Sequence, residues 1–520
     1  MPDTALDILV ISDLHTQAWN HTCVAEERGC FFGPLLLHKA LQRLRHEGIS
    51  PDLLIILGDV VEDGEADGAE EALLAVVNAA RESGLPFLAV PGNHDGDPER
   101  FAEVFDCTPG LHEFGGYGFM LFRDEFGEGN LATRPPDGLR LPGDVASQRP
   151  GLPLVALQHN PLHPPIASDY PYVLANADAV LSGYEDAGVI LSLSGHYHAG
   201  QAAHRRGNVV CCSVPAACDS PFRFVHVRLR GREVDQVQEH ALRLDTPGLV
   251  DVHCHTEYAY CGTTVVAERN VEISRAMGIH GLCLIEHAFQ LYFDRDDAWS
   301  YRWQTDLALA RRAWTSGRGR MPAYRKFAEK LRDGYVRVGL EVDLRADGSL
   351  LLAEEDREGW DLLVGAIHRI PGFEKGRTST SEFETLFLRE VEGLLAQPIQ
   401  VLGHPFRFFV HSGLGSPLHL YKTVADMLFQ SGVAAEVNFH GRTTSACGVE
   451  TPDPRFVEEC LSRGVKIALG TDSHDLAEVG ELAPHLRLLR QIGVRDADLP
   501  GVLYRPGGER YPQPARSGDV

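Results

Sequence analysis

The sequence contains no apolar run near the ~18 to 20 residues needed to span a bilayer. It opens Met1-Pro2-Asp3-Thr4, without the basic stretch and apolar run of a signal peptide. Neither a membrane protein nor a secreted one is expected, and the reading is cytoplasmic. Cysteines are scattered: of eleven, only Cys211 and Cys212 are adjacent, and no CxxC pair occurs. That usage suits reduced thiols better than a disulfide framework. Basic residues are outnumbered, 48 Lys and Arg against 73 Asp and Glu, for a formal charge of −25. Because a broad grip on polyanions draws on Lys and Arg, nucleic acid enters only as a short substrate. Part of the negative charge would be cancelled by cations on metal-binding carboxylates.

What is present is enough for two large domains. At 520 residues the chain exceeds one ordinary core, and with 44% hydrophobic and 23% charged residues neither half reads as disordered. In the first half, Leu6 to Ile11 is a β-branched run that stops at Ser12-Asp13-Leu14-His15. The pattern recurs at Leu53 to Leu57 before Gly58-Asp59, at Phe87 to Val90 before Pro91-Gly92-Asn93-His94-Asp95, and at Leu154 to Leu157 before Gln158-His159. Helix-like stretches at 35–47 and 68–83 alternate with these runs. Such alternation, with polar residues at strand ends, predicts a layered α/β domain with its site along one sheet edge. Asp245-Thr246-Pro247-Gly248 reads as a turn-forming linker. Beyond it a second series of strand-then-polar units ends at His253, Glu286, Glu341, His368, His404, Glu436 and Asp472, which suggests a barrel. The domain reading is 1–244, 245–492 and a loosely structured tail at 493–520, with one short strand at Gly501-Val502-Leu503-Tyr504. No internal repeat relates the halves.

The strand ends of the first half collect Asp13, His15, Asp59, Asn93, His94, His159, His196 and His198. Two divalent ions need a bridging carboxylate with several nitrogen and oxygen ligands, and this set supplies them without cysteine. Alternate strand residues share a face, so Asp13 with His15, and His196 with His198, can each aim two side chains at one point. Singly, each residue has a plainer role as helix cap, turn former or core histidine. The ordered set DxH, GDxxxxG, GNHD, a lone His and GHxH resembles the calcineurin-like metallophosphoesterases over roughly residues 5 to 240. The resemblance implies a four-layer αββα sandwich holding two divalent metals (manganese, iron or zinc). Asp13, His15, Asp59 and His198 would hold one, and Asp59, Asn93, His159 and His196 the other, with Asp59 bridging. It also implies in-line attack on phosphorus by cation-activated water, with His94 beside the substrate as proton donor and Asp95 as its orienter.

The second half gathers His253, His255, Glu286, His287, Glu341, His368, His404, Asp472 and His474 at successive strand ends. Ligands so placed converge in a parallel barrel, because every strand's C-terminal end opens on one rim. These residues resemble the PHP (polymerase and histidinol phosphatase) family over about 249 to 490, implying a distorted (β/α)7 barrel with two or three divalent metals (zinc, manganese or iron). By that resemblance His253, His255, Glu341 and Asp472 would bind one metal, Glu341, His368 and His404 a second, and His287 with His474 a third. Two positions depart from the family pattern. Glu286 stands where Asp is usual, and Cys261 stands where many members place a further ligand; a thiolate there would favour zinc or iron. Arg369 and Arg407, beside His368 and His404, are candidates to clamp a phosphate. The insertion between Asp294 and Gly334, with Trp299, Trp303, Arg311, Arg312 and Trp314, is either a lid or ordinary amphipathic packing.

The expected activity is therefore hydrolysis of phosphomonoesters or phosphodiesters of small, nucleotide-like substrates by two metal-dependent domains. A nuclease acting on short single strands is one alternative; one catalytic domain with a metal-stabilised regulatory partner is another. The sequence carries no signal for oligomeric state.

Overall fold

The computed structural model describes residues 5–17, 28–164, 166–374, 377–439 and 452–507. The chain divides into two compact units, residues 1–243 and 244–520.

In the first unit, Leu6–Ile11 lies inside a five-stranded sheet. It pairs parallel with Leu53–Ile56 and antiparallel with Arg223–Arg230. Ile8, Leu9 and Val10 are wholly buried, as a continuous apolar run must be when both sheet faces are covered. A six-stranded sheet is built around Leu154–Leu157 and Val189–Ser194. Helices Gly33–His46 and Ala69–Glu82 pack together on the first sheet's side, and Pro136–Gln148 and Ala177–Ala187 on the second's. These are the four layers of an αββα sandwich.

The second unit is a parallel sheet of seven strands in chain order, from Val250–Cys254 to Ile467–Gly470. The last strand returns to the first: Asp472 N–H donates to His253 O at 2.7 Å, and Cys254 forms a parallel bridge with Ser473. The result is a nearly closed barrel whose strand ends share one rim. Its interior is Val250, Val252, Ile285, Val364, Val401 and Ala468, all buried.

Backbone strain concentrates at the strand ends. Asp13, His15, Asp59, His196, His404 and Asp472 all adopt positive φ, between 27° and 63°. Non-glycine residues rarely do so, and such strain persists where surrounding contacts over-determine it, commonly at functional sites. Gly92 shows how tightly these turns crowd: a Cβ there would stand 2.2 Å from Asp59 Oδ1.

Two expectations change, and of the two readings of the insertion one is met. The tail from 493 is ordered through 507: Asp496–Asp498 is a 3-10 turn, Leu499–Val502 a short helix, and Leu503 bridges Ile467. Burial of Leu499 and Leu503 holds it down, and the expected strand at 501–504 is helical through Val502. Residues 508–520 lie outside the described residues. Cys30 is disulfide-bonded, against the expectation of reduced thiols throughout, since scattered spacing does not say which cysteines fold together. The insertion packs rather than hovering as a lid: Trp303 is fully buried and stacks on Phe289 at 5.3 Å. Arg311 and Arg312 remain on its exposed surface, and Trp314 meets Tyr292. No helix among the described residues is long and apolar enough to cross a membrane.

Two candidate metal centres

The first sandwich's strand ends bring Asp13, His15 and His198 into one cluster and Asp59, His159 and His196 into another. Asp59 joins them: its Oδ2 lies 3.7 Å from His15 Nε2 and 3.2 Å from His159 Nε2. His15 and His198 face each other at 3.2 Å, as do His159 and His196. Asn93 Oδ1, Asp13 Oδ1 and His196 Nε2 are buried without a hydrogen bond, although buried polar atoms are ordinarily satisfied. Orphaned donors and acceptors converging beside a shared carboxylate fit divalent cations.

The charge balance points the same way. Burial alone would raise Asp59, but His159, His15 and His94 hold it well below the usual carboxylate range. Burial alone would lower His159, yet Asp59 pushes it up to about 10. His196 is pushed down to about 3, by burial and then by His159. The carboxylate charge that raises His159 would equally favour a cation beside Asp59.

Carboxylates and carbonyls fix the rings from behind. Glu62 Oε2 lies 2.7 Å from His15 Nδ1 and accepts from Arg28 at 2.9 Å. Asp219 Oδ2 lies 2.7 Å from His198 Nδ1, and His159 Nδ1–H donates to Leu57 O at 2.7 Å. Such partners set which nitrogen is left for a metal. His94 lines a cleft of about 690 Å³ with Arg28, Asn93 and Asp97.

Asp95 does not orient His94. It accepts from the backbone N–H groups of Val60 and Gly92 at 2.7 and 2.8 Å and of Val61 at 3.1 Å, so it ties two turns together. His94 Nδ1–H donates instead to Glu62 O at 2.6 Å. Burial and the neighbouring Asp59 push Asp95 up to about 6.

In the barrel, Glu341 stands among five imidazoles. Its Oε2 is 2.6 Å from His287, 3.5 Å from His253 and 3.7 Å from His255; its Oε1 is 2.8 Å from His404 and 3.3 Å from His368. Asp472 Oδ1 reaches His255 at 2.9 Å, and His255, His287 and His474 form a further cluster. Glu341 is held well below the usual range, by His368, His287 and His253 against the penalty of burial. Against the same penalty, His253 is held well above by Glu436, Asp472 and Glu341. Burial, then His255, pushes His287 down to about 3. Buried His253 Nε2 and His404 Nδ1 make no hydrogen bond. This donor set also fits divalent cations.

Around it, Glu286 Oε1 accepts from Thr256 N–H at 2.7 Å and Thr256 Oγ1–H at 2.6 Å while its Oε2 lies 3.8 Å from His255 Nδ1, so the longer side chain is absorbed beside His255. Cys261 Sγ lies 3.4 Å from His287 Nε2, and burial pushes its thiol up to about 12. Arg407 is not open to a phosphate here: it donates to Asp472 at 2.5 Å and to Asn438 at 2.7 Å, because the barrel's acidic rim draws the guanidinium inward. Arg369 is exposed, its guanidinium over the Tyr301 ring.

Sequence reasoning missed Glu62, Asp219 and Asp343 and assigned Glu436 no role. Asp343 Oδ1 lies 2.9 Å from His368 Nδ1. It sits two residues after Glu341, a spacing that shares a strand face. Glu62 follows Asp59 within the GDxxxxG motif. Asp219 carries no local signal.

The folds and clusters are those of phosphoesterase domains. The chain carries a calcineurin-like phosphoesterase domain, matched over residues 6–200, and a PHP domain, matched over 251–440. It is 36% identical over 113 residues to a Synechococcus sp. protein named "Probable cyclic nucleotide phosphodiesterase", covering 21% of this chain and 38% of that one. The chain thus spans well under half that relative's length. It is 24% identical over 268 residues to a Clostridium acetobutylicum protein named "Probable phosphatase", covering 50% of this chain and 91% of that one. Among solved structures, a dimetal phosphatase from Danio rerio superposes with a TM-score of 0.37 at 16% identity, covering 45% of this chain and 98% of that one.

Proposed function

We propose that both halves hydrolyse phosphoric esters of small, nucleotide-like molecules. The observation behind this reading is that each half surrounds one buried carboxylate, Asp59 or Glu341, with imidazoles at adjoining strand ends. In the sandwich, Asp13, His15, Asp59, Asn93, His159, His196 and His198 would hold two divalent cations. In the barrel, His253, His255, Glu341, His368, His404 and Asp472 would hold two, and His287 with His474 a third. Cations so held supply Lewis acidity toward the phosphoryl oxygens and lower the pKa of water.

The chain's own groups do the rest. His94, with Nδ1 committed to Glu62 O, offers Nε2 to protonate the departing oxygen. Glu62, Asp219, Asp343 and Glu436 hold their histidines in one tautomer and orientation. Arg369, exposed and next to His368, would take a phosphate. The fusion suggests a sequence in which the sandwich opens a diester and the barrel removes the resulting terminal phosphate.

The test is phosphatase and phosphodiesterase activity on aryl phosphates with manganese, comparing wild type with Asp59→Asn and Glu341→Gln. Loss of a different activity in each variant is expected. A substitution that changes nothing on any ester tried would make its half structural or regulatory, and a single variant that blocks every step would remove the division of labour.

A further inference from the structure

Beside the barrel centre the insertion places an aromatic group that the chemistry above does not use. Phe289 joins it to the site, 5.2 Å from the His287 ring and 5.4 Å from the His368 ring. On its other sides Phe289 meets Trp299 at 6.0 Å and Tyr301 at 5.7 Å. Trp303 accounts for the packing of the insertion, being wholly buried against Phe289 and Phe293. Trp299 is different: it is 40% exposed, although it stands one ring away from the ring that touches the histidines. Large aromatics left open near a polar centre are costly to leave in water and commonly mark binding surfaces.

Tyr301 adds a second reason. It holds φ at 52°, a conformation few non-glycine residues adopt, and its ring lies 5.8 Å beneath the Arg369 guanidinium. The insertion also fixes that arginine's backbone, since buried Gln304 donates from Nε2 to Arg369 O at 3.0 Å. The insertion thus presents an open indole at Trp299 and, through Tyr301 and Gln304, holds the cation of Arg369, the residue that follows His368. The cation suits a phosphate, and the indole suits a flat π-face.

We infer that the open face of Trp299, with the Tyr301 ring edge-on to it at 6.5 Å and 62°, forms a stacking shelf for the nucleobase of a nucleotide whose phosphate sits between Arg369 and the barrel histidines. This rests on the phosphoesterase reading of the barrel and narrows its substrate to esters bearing a planar ring. Stacking on an aromatic side chain tolerates any base, so the shelf selects nucleotides over aliphatic phosphates without choosing among bases.

The test compares adenosine monophosphate with glycerol phosphate on the full chain with manganese, in wild type and Trp299→Ala. The ratio of kcat/KM for the nucleotide to that for glycerol phosphate is expected to fall about tenfold or more. Tyr301→Leu should lower the same ratio, and Trp299→Phe, which keeps a π-face, should largely restore it. An unchanged ratio overturns the shelf. Binding is read separately by tryptophan emission: adenosine monophosphate, and not glycerol phosphate, should quench a component that Trp299→Phe lacks. Quenching without turnover of either ester would keep the shelf and remove the phosphoesterase reading; absence of that quenching component overturns the shelf whether or not turnover is seen.

Discussion

Glu436 Oε1 lies 2.9 Å from His253 Nδ1, while its other oxygen accepts from the backbone N–H of His404 at 2.8 Å. One carboxylate therefore orients two candidate ligand positions on non-adjacent strands. It leaves His253 Nε2, which makes no hydrogen bond, facing Glu341 at 3.5 Å. Replacing Glu436 with Gln should weaken manganese binding by the barrel about 10- to 100-fold, the usual effect of losing a ligand's backing carboxylate. Calorimetric titration of the full chain checks this, with the sandwich site as internal control. Equal affinity in the variant would reduce Glu436 to a packing role.

His94 and Asp95 adjoin in sequence and should separate in experiment. Asp95 satisfies three buried backbone N–H groups, so Asp95→Ala should cost about 3 kcal/mol or more. Melting of the first unit should fall by about 6 °C or more. His94→Ala should leave melting nearly unchanged and lower sandwich turnover about 100-fold or more, most for esters with poor leaving groups. If His94→Ala instead melts early with turnover intact, its bond to Glu62 O is its whole role.

That contrast shows what the sequence could and could not disclose. Asp13 with His15 was legible because both follow one strand within a short segment and meet in one cluster. His196 and His198, read the same way, part instead, His196 joining Asp59 and His159 and His198 joining Asp13 and His15, because the positive φ of His196 breaks the strand alternation. The barrel was legible because each apolar run stops at a polar residue. Pairings across the fold were not: Asp219 meets His198, and Glu436 meets His253, over separations no local pattern encodes. The resemblance implied Asp95 as the orienter of His94, yet its side chain points back into the turns. Arg407 looked free for phosphate because its partner Asp472 lies 65 residues away.

Asp7 gives a pH prediction remote from either centre. Burial raises its carboxyl, but hydrogen bonds from Arg228 and His226 outweigh this and hold it below the ordinary value. Its Oδ1 accepts from Arg228 Nε at 2.8 Å and lies 2.7 Å from His226 Nε2. A depressed folded pKa gives stability that is present above the unfolded value of ~3.9 and lost as pH falls through the folded value. Asp7→Asn should therefore cost about 1 kcal/mol at pH 7, and the deficit should shrink steadily below pH 4. Urea unfolding of both proteins at pH 7 and pH 3 reads it; a deficit equal at both would assign the loss to shape rather than charge.

Metal addition should stabilise the two units separately, because each has its own cluster and its own core. At manganese a hundredfold above the dissociation constant, binding contributes about 2.7 kcal/mol, which for a unit of this size raises melting by roughly 5 to 10 °C. Hydrogen exchange resolved by peptide assigns the gain. Asp59→Asn should abolish added protection along Leu6–Ile11 and Leu53–Ile56 and leave the barrel strands responsive; Glu341→Gln should do the reverse. Glu341→Gln should also loosen the metal-free barrel, since His253 and His368 are held well above their ordinary range partly by that carboxylate. Asp59→Asn should likewise cost the metal-free sandwich its partner for His159. If manganese protects both sets of strands in both variants, the bound ions lie elsewhere than around Asp59 and Glu341.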